Sequence, residues 1–173
     1  MASKVYLERI ATATFDSDVH EAFVGYAHGM LQQERSRALF LRMAERSGIG
    51  ARYSPLLVDG THGPDDVDAY ALYQSGSFPS TAKRMALYKR FAPILMRRAL
   101  DRLQLSAEEL RRIRHVIVTS CTGFYAPGLD FDAVDYLGLD ASVERTMIGF
   151  MGCYAAMNAL KHCLLYTSPS PRD

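Results

Sequence analysis

Residues 145–161 read RTMIGFMGCYAAMNALK, and within this stretch a predicted strand passes into a predicted helix at a cysteine. Residues 144–150 (ERTMIGF) predict a strand, whereas the alanine-rich run 154–162 predicts a helix. Between them, Gly152 permits a sharp turn, so we expect Cys153 in the first turn of that helix. The stretch therefore predicts a thiol at the place where a strand ends and a helix begins.

Cys153 has the residue type and the setting of a nucleophile. The thiolate is the reactive form of cysteine, and the positive end of a helix dipole stabilises it. Unpaired N–H groups at the same helix end also help to bind a developing oxyanion. Spacing alone leaves a second interpretation open, in which Cys153 is a small core residue, since free cysteines are among the most buried residue types.

Helix and strand patterns alternate upstream of this turn. Apolar residues at steps of three and four predict a helix over residues 81–103, and Ser106 with Glu109 predicts a capping box for a short helix. Residues 115–120 (HVIVTS) predict a buried strand, and residues 131–137 predict another short helix. This alternation is typical of a layered α/β fold.

The first half of the chain is predicted to open with a strand over residues 5–14, which are rich in β-branched side chains. Two helices are predicted between Asp18 and Ser47, with Gly48 ending the second. Residues 53–80 carry glycines and prolines among short polar runs, and they predict a loop.

The final segment CLLYTSPSPRD, residues 163–173, contains a Ser/Pro run that belongs to no packed element. It resembles the translation of a sequencing adapter. We therefore predict one domain over residues 1–162, followed by a non-native tail over residues 163–173. The alternative is a native flexible tail.

The composition excludes several classes of protein. The 173 residues are 49% apolar, which suffices for one globular domain. The net charge is +1 with no basic block, so we expect no nucleic-acid partner. We see no signal peptide and no apolar run of about 18–20 residues, so we expect a cytoplasmic protein without membrane contact. The three cysteines form no disulfide framework or zinc spacing, and no phosphate-binding loop is present, so we expect no metal and no cofactor.

Three segments resemble, in order and spacing, the type III (chalcone synthase-like) polyketide synthases, and bacterial members in particular. RTMIGFMGCYAAMNALK resembles their nucleophile segment, VIVTSCTGFYAPGLD (116–130) the strand and loop that precede it, and LFLRMAERSGIGARY (39–53) a helix and turn near their start. The resemblance implies a thiolase-like α/β fold with helices layered around a mixed sheet. This chain would be its N-terminal half, truncated after the nucleophile helix.

The resemblance also implies a function. Enzymes of this type are acyltransferases that condense an acyl-CoA starter with malonyl-CoA by decarboxylative Claisen condensation. It implies that Cys153 holds the acyl group as a thioester, that coenzyme A thioesters are the substrates, and that the full-length protein is a homodimer. Two alternatives stay open, a condensing enzyme like ketoacyl-acyl carrier protein synthase III and a non-catalytic fragment.

Further site residues follow from the same resemblance. Arg42 and Arg46 match positions that bind coenzyme A phosphates, and four residues apart they share one helix face. The residues alone would favour a solvated basic face. Cys121, Thr122 and Ala126 match pocket-lining positions, and plant members carry at the position of Ala126 a methionine that crosses the dimer interface.

The family also uses a histidine and an asparagine that lie far downstream of its cysteine. Four of the five histidines precede Cys153 and fall in no matching motif, whereas His162 and Asn158 lie on the same predicted helix as Cys153. We therefore expect the chain to supply one of three catalytic groups and to form no polyketide product by itself.

Overall fold

The computed structural model describes residues 5–56, 70–73 and 76–167. These residues divide into two units, a first unit within residues 14–84 and a second unit formed by residues 5–13 together with 85–167. The elements in chain order are α1 (His20–Met30), α2 (Glu34–Arg46), α3 (Thr81–Leu103), α4 (Ala107–Arg112), β1 (His115–Ser120), α5 (Leu129–Leu137), β2 (Glu144–Gly149), a 3-10 turn (Gly152–Tyr154) and α6 (Ala155–Thr167).

In the first unit, α1 and α2 pack against each other. Asp18 joins the start of α1 to the segment after α2, because its Oδ1 accepts hydrogen bonds from the backbone N–H groups of His20 and Arg52, both at 2.9 Å. These donors, Arg52 first, hold the pKa of Asp18 below its ordinary value, since they stabilise the carboxylate. The two helices predicted before Ser47 are confirmed.

Gly48 ends α2, as the sequence predicts. Its backbone is left-handed, with φ at 66°, a conformation that glycine adopts at little cost. The N–H of Ser47 donates to the carbonyl of Met43 at 2.9 Å in the last turn. A Cβ at Gly48 would meet no atom within 4 Å, so the backbone angle alone demands glycine here.

The second unit contains a parallel pair of strands. The register of β1 and β2 runs from His115 opposite Glu144 to Ser120 opposite Gly149. Parallel strands need a crossover connection, and α5 supplies it. Both α5 and α6 pack against this sheet, and Ala133 of α5 is among the buried residues. The predicted alternation of helices and strands is confirmed from α3 to α6.

The predicted capping box begins α4. The Ser106 hydroxyl accepts from the N–H of Glu109 at 3.2 Å, and the Glu109 carboxylate accepts from the N–H of Ser106 at 2.7 Å. These bonds with Ser106 hold the pKa of Glu109 below its ordinary value. Arg9 reaches the same carboxylate with its Nη2 at 2.8 Å.

The strand predicted over residues 5–14 is wrong, because this segment has no regular secondary structure. Hydrogen bonds from arginine side chains hold this segment in place instead. Arg9 donates to the carbonyl of Leu103 at 2.8 Å, and Arg102 donates to the carbonyl of Thr12 at 2.6 Å. A β-branched composition favours a strand only where a partner strand offers its N–H and C=O groups, and neither β1 nor β2 pairs with this segment.

The last helix is longer than predicted. α6 runs to Thr167, whereas the sequence favours an end near His162. Cys163 and two leucines continue it, because leucine is a strong helix former. That residues 163–173 are non-native stays a prediction, and residues 168–173 lie outside the described part of the chain.

Few side chains are buried among the described residues. The buried apolar side chains there are Leu72, Ala133, Val143 and Ala155. Phe150, before the last helix, and Leu165, within it, are each 75% exposed. Exposed apolar side chains of this size favour association.

We predict that Gly48→Ala destabilises the first unit by about 1 kcal/mol, because a side chain strains left-handed backbone. Gly25 is the matched control, since it lies within α1 in equally open surroundings without a left-handed backbone. Gly25→Ala should stabilise the unit by about 0.5–1 kcal/mol. Urea unfolding followed by helical circular dichroism measures both. If both variants changed the free energy of unfolding in the same direction, the role given to Gly48 would be contradicted.

Candidate active site

The parallel register brings the ends of β1 and β2 to one edge of the sheet. Ser120 and Gly149 lie opposite each other at this edge, and the next N–H, that of Phe150, donates to the Ser120 carbonyl at 3.3 Å. Such carboxyl ends are where α/β folds place their ligands. Cys121 follows β1 and Cys153 follows β2, so the two segments that carry these thiols leave the sheet from neighbouring points.

The turn that carries Cys153 contains two left-handed residues. Phe150 has φ at 57° and Gly152 has φ at 68°, a conformation common for glycine and uncommon for phenylalanine. Cys153 follows in the 3-10 turn Gly152–Tyr154, which leads directly into α6. Cys153 is exposed in this chain.

Ser120 joins this turn to the loop after β1. Its hydroxyl accepts from the Tyr88 hydroxyl at 2.8 Å and donates to the carbonyl of Gly123 at 3.1 Å. The ring of Phe124 also meets that of Phe150 edge to face, with centroids 5.7 Å apart. The end of β1 and the loop after it are therefore joined to the turn after β2 by a backbone hydrogen bond and an aromatic contact.

Asp130 and Arg145 hold the far end of the same loop. Asp130 is buried at the start of α5, and its Oδ2 accepts from Arg145 Nη1 at 2.9 Å. The guanidinium also lies 5.4 Å from the ring centroid of Phe131, within cation–π range. Gly128 precedes them with φ at 125°, and a Cβ there would stand 2.3 Å from Asp130 Oδ1. Sequence reasoning missed this pair, because its members are 15 residues apart and meet only through the sheet.

Tyr125 gives the loop a second contact with α5. Its hydroxyl donates to the Asp132 carboxylate. Burial first, and then this carboxylate, raise the pKa of Tyr125, because both disfavour the phenolate. The ammonium of Lys89 lies 5.8 Å from the tyrosine ring centroid. The loop is thus held at Ser120, where it begins, and at α5, where it ends.

Other site chemistry is limited in the part of the chain that the structure covers. Among those residues, no group of three or more His, Cys, Asp or Glu side chains could hold a metal ion. Cys121, Cys153 and Cys163 form no disulfide with one another. No described helix is long and apolar enough to cross a membrane.

A family model for the N-terminal domain of the chalcone and stilbene synthases matches residues 32–164. This range contains α2 to β2 in full and the whole of the site described above. The chain belongs to the chalcone and stilbene synthase family. It corresponds to the N-terminal part of a type III polyketide synthase, as the three sequence segments predict. The match favours this family over the carrier-protein-dependent alternative.

Similar proteins agree with this family. The alpha-pyrone synthesis polyketide synthase-like Pks18 of Mycobacterium tuberculosis is 42% identical over 98 residues, which cover 54% of this chain and 24% of that protein. The crystal structure of PKS-I from the brown alga Ectocarpus siliculosus aligns with a TM-score of 0.68 at 30% identity, covering 91% of this chain and 42% of that one. CsyB complexed with CoA-SH aligns with a TM-score of 0.63 at 20% identity, covering 91% of this chain and 41% of that one.

These alignments confirm the predicted fold class, the N-terminal part of a thiolase-like α/β fold. The chain spans about a quarter of the curated relative's length and about two fifths of each solved chain.

The predicted pocket residues of this family member lie on the loop after β1. Cys121 and Thr122 follow the strand directly and are exposed. Ala126 lies further along the loop, also exposed, and a cis peptide bond joins it to Pro127. The structure thus brings Cys121 and Thr122 to the sheet edge that also leads to Cys153, and their contact with substrate stays a prediction.

Arg42 and Arg46 belong to the first unit. Both are exposed on α2, one helical turn apart. Neither forms an ion pair with another described residue, Glu45 included. Their geometry suits an anionic ligand, and the role in binding coenzyme A stays a prediction.

We predict that Arg145→Met destabilises the second unit by about 2 kcal/mol, because the Asp130 carboxylate would stay buried without its partner. Arg111→Met is the matched control, since this exposed arginine of α4 has no ion pair among the described residues. It should change stability by less than about 0.5 kcal/mol. Urea unfolding measures both, and equal losses would contradict the importance of the Asp130 contact.

Proposed function

We propose that the chain is the nucleophile-bearing part of a type III polyketide synthase, an acyltransferase in which Cys153 accepts an acyl group from an acyl-CoA. The Cys153 thiolate attacks the thioester carbonyl, a new C–S bond forms, and coenzyme A leaves as its thiolate and takes up a proton. The observation that carries the proposal is an exposed thiol on a strand-to-helix turn in a chain of this family.

The surroundings of the thiol support this step. N–H groups at the start of α6 carry partial positive charge, which stabilises both a thiolate and the oxyanion of the tetrahedral intermediate. The exposed rings of Phe124 and Phe150 offer apolar surface on the neighbouring loop and turn. Cys121 and Thr122, at the same sheet edge, would border the acyl chain.

Extension needs a second substrate, malonyl-CoA. Its carboxylate leaves as carbon dioxide, the electron pair of the broken C–C bond attacks the acyl carbonyl, and the Cys153 thiolate is released. The family resemblance assigns this step to a histidine and an asparagine that have no counterparts among the 173 residues. We therefore propose that this chain by itself forms the acyl adduct and releases no polyketide.

Coenzyme A recognition is proposed for Arg42 and Arg46. Two guanidinium groups one turn apart can each donate to phosphate oxygens. The structural relative CsyB is complexed with CoA-SH, which supports this substrate class. The family resemblance also supports a cytoplasmic homodimer for the full-length protein, with no cofactor beyond the coenzyme A thioesters.

We predict that hexanoyl-CoA adds one acyl group to the chain at Cys153, measured by intact mass and peptide mapping. Cys153→Ala should abolish the adduct. Cys163→Ala is the matched control, because it removes another exposed thiol, on α6 and outside the predicted pocket residues, and should leave the adduct in place. An adduct that persists in Cys153→Ala, or that maps to another cysteine, would falsify the nucleophile assignment.

We predict that the double variant Arg42→Ala/Arg46→Ala needs about tenfold more acyl-CoA for half-maximal acylation, since charge-assisted bonds to phosphate are lost. An acyl N-acetylcysteamine thioester lacks those phosphates, so its reaction should be unchanged. Arg111→Ala, which removes an exposed arginine of α4, should affect neither reaction. Equal weakening with both thioesters would show that the two arginines do not act on phosphate.

A further inference from the structure

Tyr88 of α3 makes two independent contacts, one with the last residue of β1 and one with the loop that follows. Its hydroxyl donates to Ser120 Oγ at 2.8 Å. Its ring packs so closely on the buried Gly123 that a Cβ at this glycine would stand 2.2 Å from Tyr88 Cγ. Gly123 has no left-handed backbone, so the tyrosine ring is what requires a glycine here.

Ser120 extends these contacts in two directions. Its hydroxyl donates to the carbonyl of Gly123 at 3.1 Å, which closes a short turn around Cys121 and Thr122. Its carbonyl accepts the N–H of Phe150 at 3.3 Å, and Phe150 is the left-handed residue that begins the turn carrying Cys153. Both segments of the candidate site therefore depend on where Ser120 lies.

We propose that Tyr88 is a positioning residue for the acyl-transfer site. It holds Ser120 with its hydroxyl and Gly123 with its ring, and through Ser120 it sets the place of the turn before Cys153. That this site transfers acyl groups rests on the proposed function, whereas the coupling between Tyr88 and Phe150 rests on the contacts alone. Tyr88 acts through Ser120, so its hydroxyl is required for placement and takes no part in the chemistry.

Tyr88→Phe tests this proposal, because it removes the hydroxyl and keeps the ring against Gly123. Tyr125→Phe is the matched control, since that hydroxyl binds Asp132 instead of the turn. Amide hydrogen exchange resolved by residue is the readout. We expect exchange at the Phe150 amide to rise about fivefold in Tyr88→Phe, as the loss of one neutral hydrogen bond predicts. It should be unchanged in Tyr125→Phe, and amides inside β1 and β2 should keep their rates.

Two exchange results would overturn the proposal. An unchanged Phe150 amide would mean that the hydroxyl does not set this turn. A rise shared by all amides of β1 and β2 would mean that Tyr88 only stabilises the fold.

A second measurement tests whether the position of the turn before Cys153 affects acyl transfer. In Tyr88→Phe, acylation of Cys153 by hexanoyl-CoA should slow about fivefold. The rate at which iodoacetamide alkylates Cys153 should change by less than about twofold. Unaltered acylation in Tyr88→Phe overturns the positioning role. If the wild-type chain forms no adduct while the exchange effect is present, the proposed function fails and the coupling of Tyr88 to Phe150 stands.

Discussion

Parallel pairing of β1 with β2 is the constraint on which the candidate site depends. Because both strands run in one direction, α5 must cross between them, and both strands end at the same edge. Cys121 and Cys153 are far apart along the chain, yet each follows one of these neighbouring ends. A shift of the register by one residue would turn every strand side chain to the other face and would separate the Phe150 N–H from the Ser120 carbonyl.

Polar bonds hold the segments around this edge. Asp130 binds Arg145, Tyr125 binds Asp132, and the Tyr88 hydroxyl binds Ser120. A neutral hydrogen bond of this kind contributes about 1 kcal/mol, and one to a charged group about 1.5–3 kcal/mol. Few apolar side chains are buried in the described residues, so these contacts have a large share in placing the loop.

The end of α2 and the cap of α4 were predicted correctly, because the residues that form them lie within a few positions of one another. Gly48 ends α2 through its own backbone angle, and Ser106 with Glu109 caps α4 through bonds across three residues. The strand predicted over residues 5–14 failed for the opposite reason, since a strand exists only through pairing with another strand. The sequence prediction ended α6 near His162, because the following Ser/Pro run indicated the end of a helix. The two leucines extend the helix to Thr167 instead.

The sequence by itself determined the order of helices and strands from α3 onward, the strand-to-helix turn at Cys153, and the family, through three short segments. The tertiary structure alone decided that the Cys153 thiol is exposed and that Tyr88 meets Ser120 across 32 residues. The physical reason is that a contact between distant residues depends on strand register and helix packing. Those are properties of several elements together, and no local pattern of residues contains them.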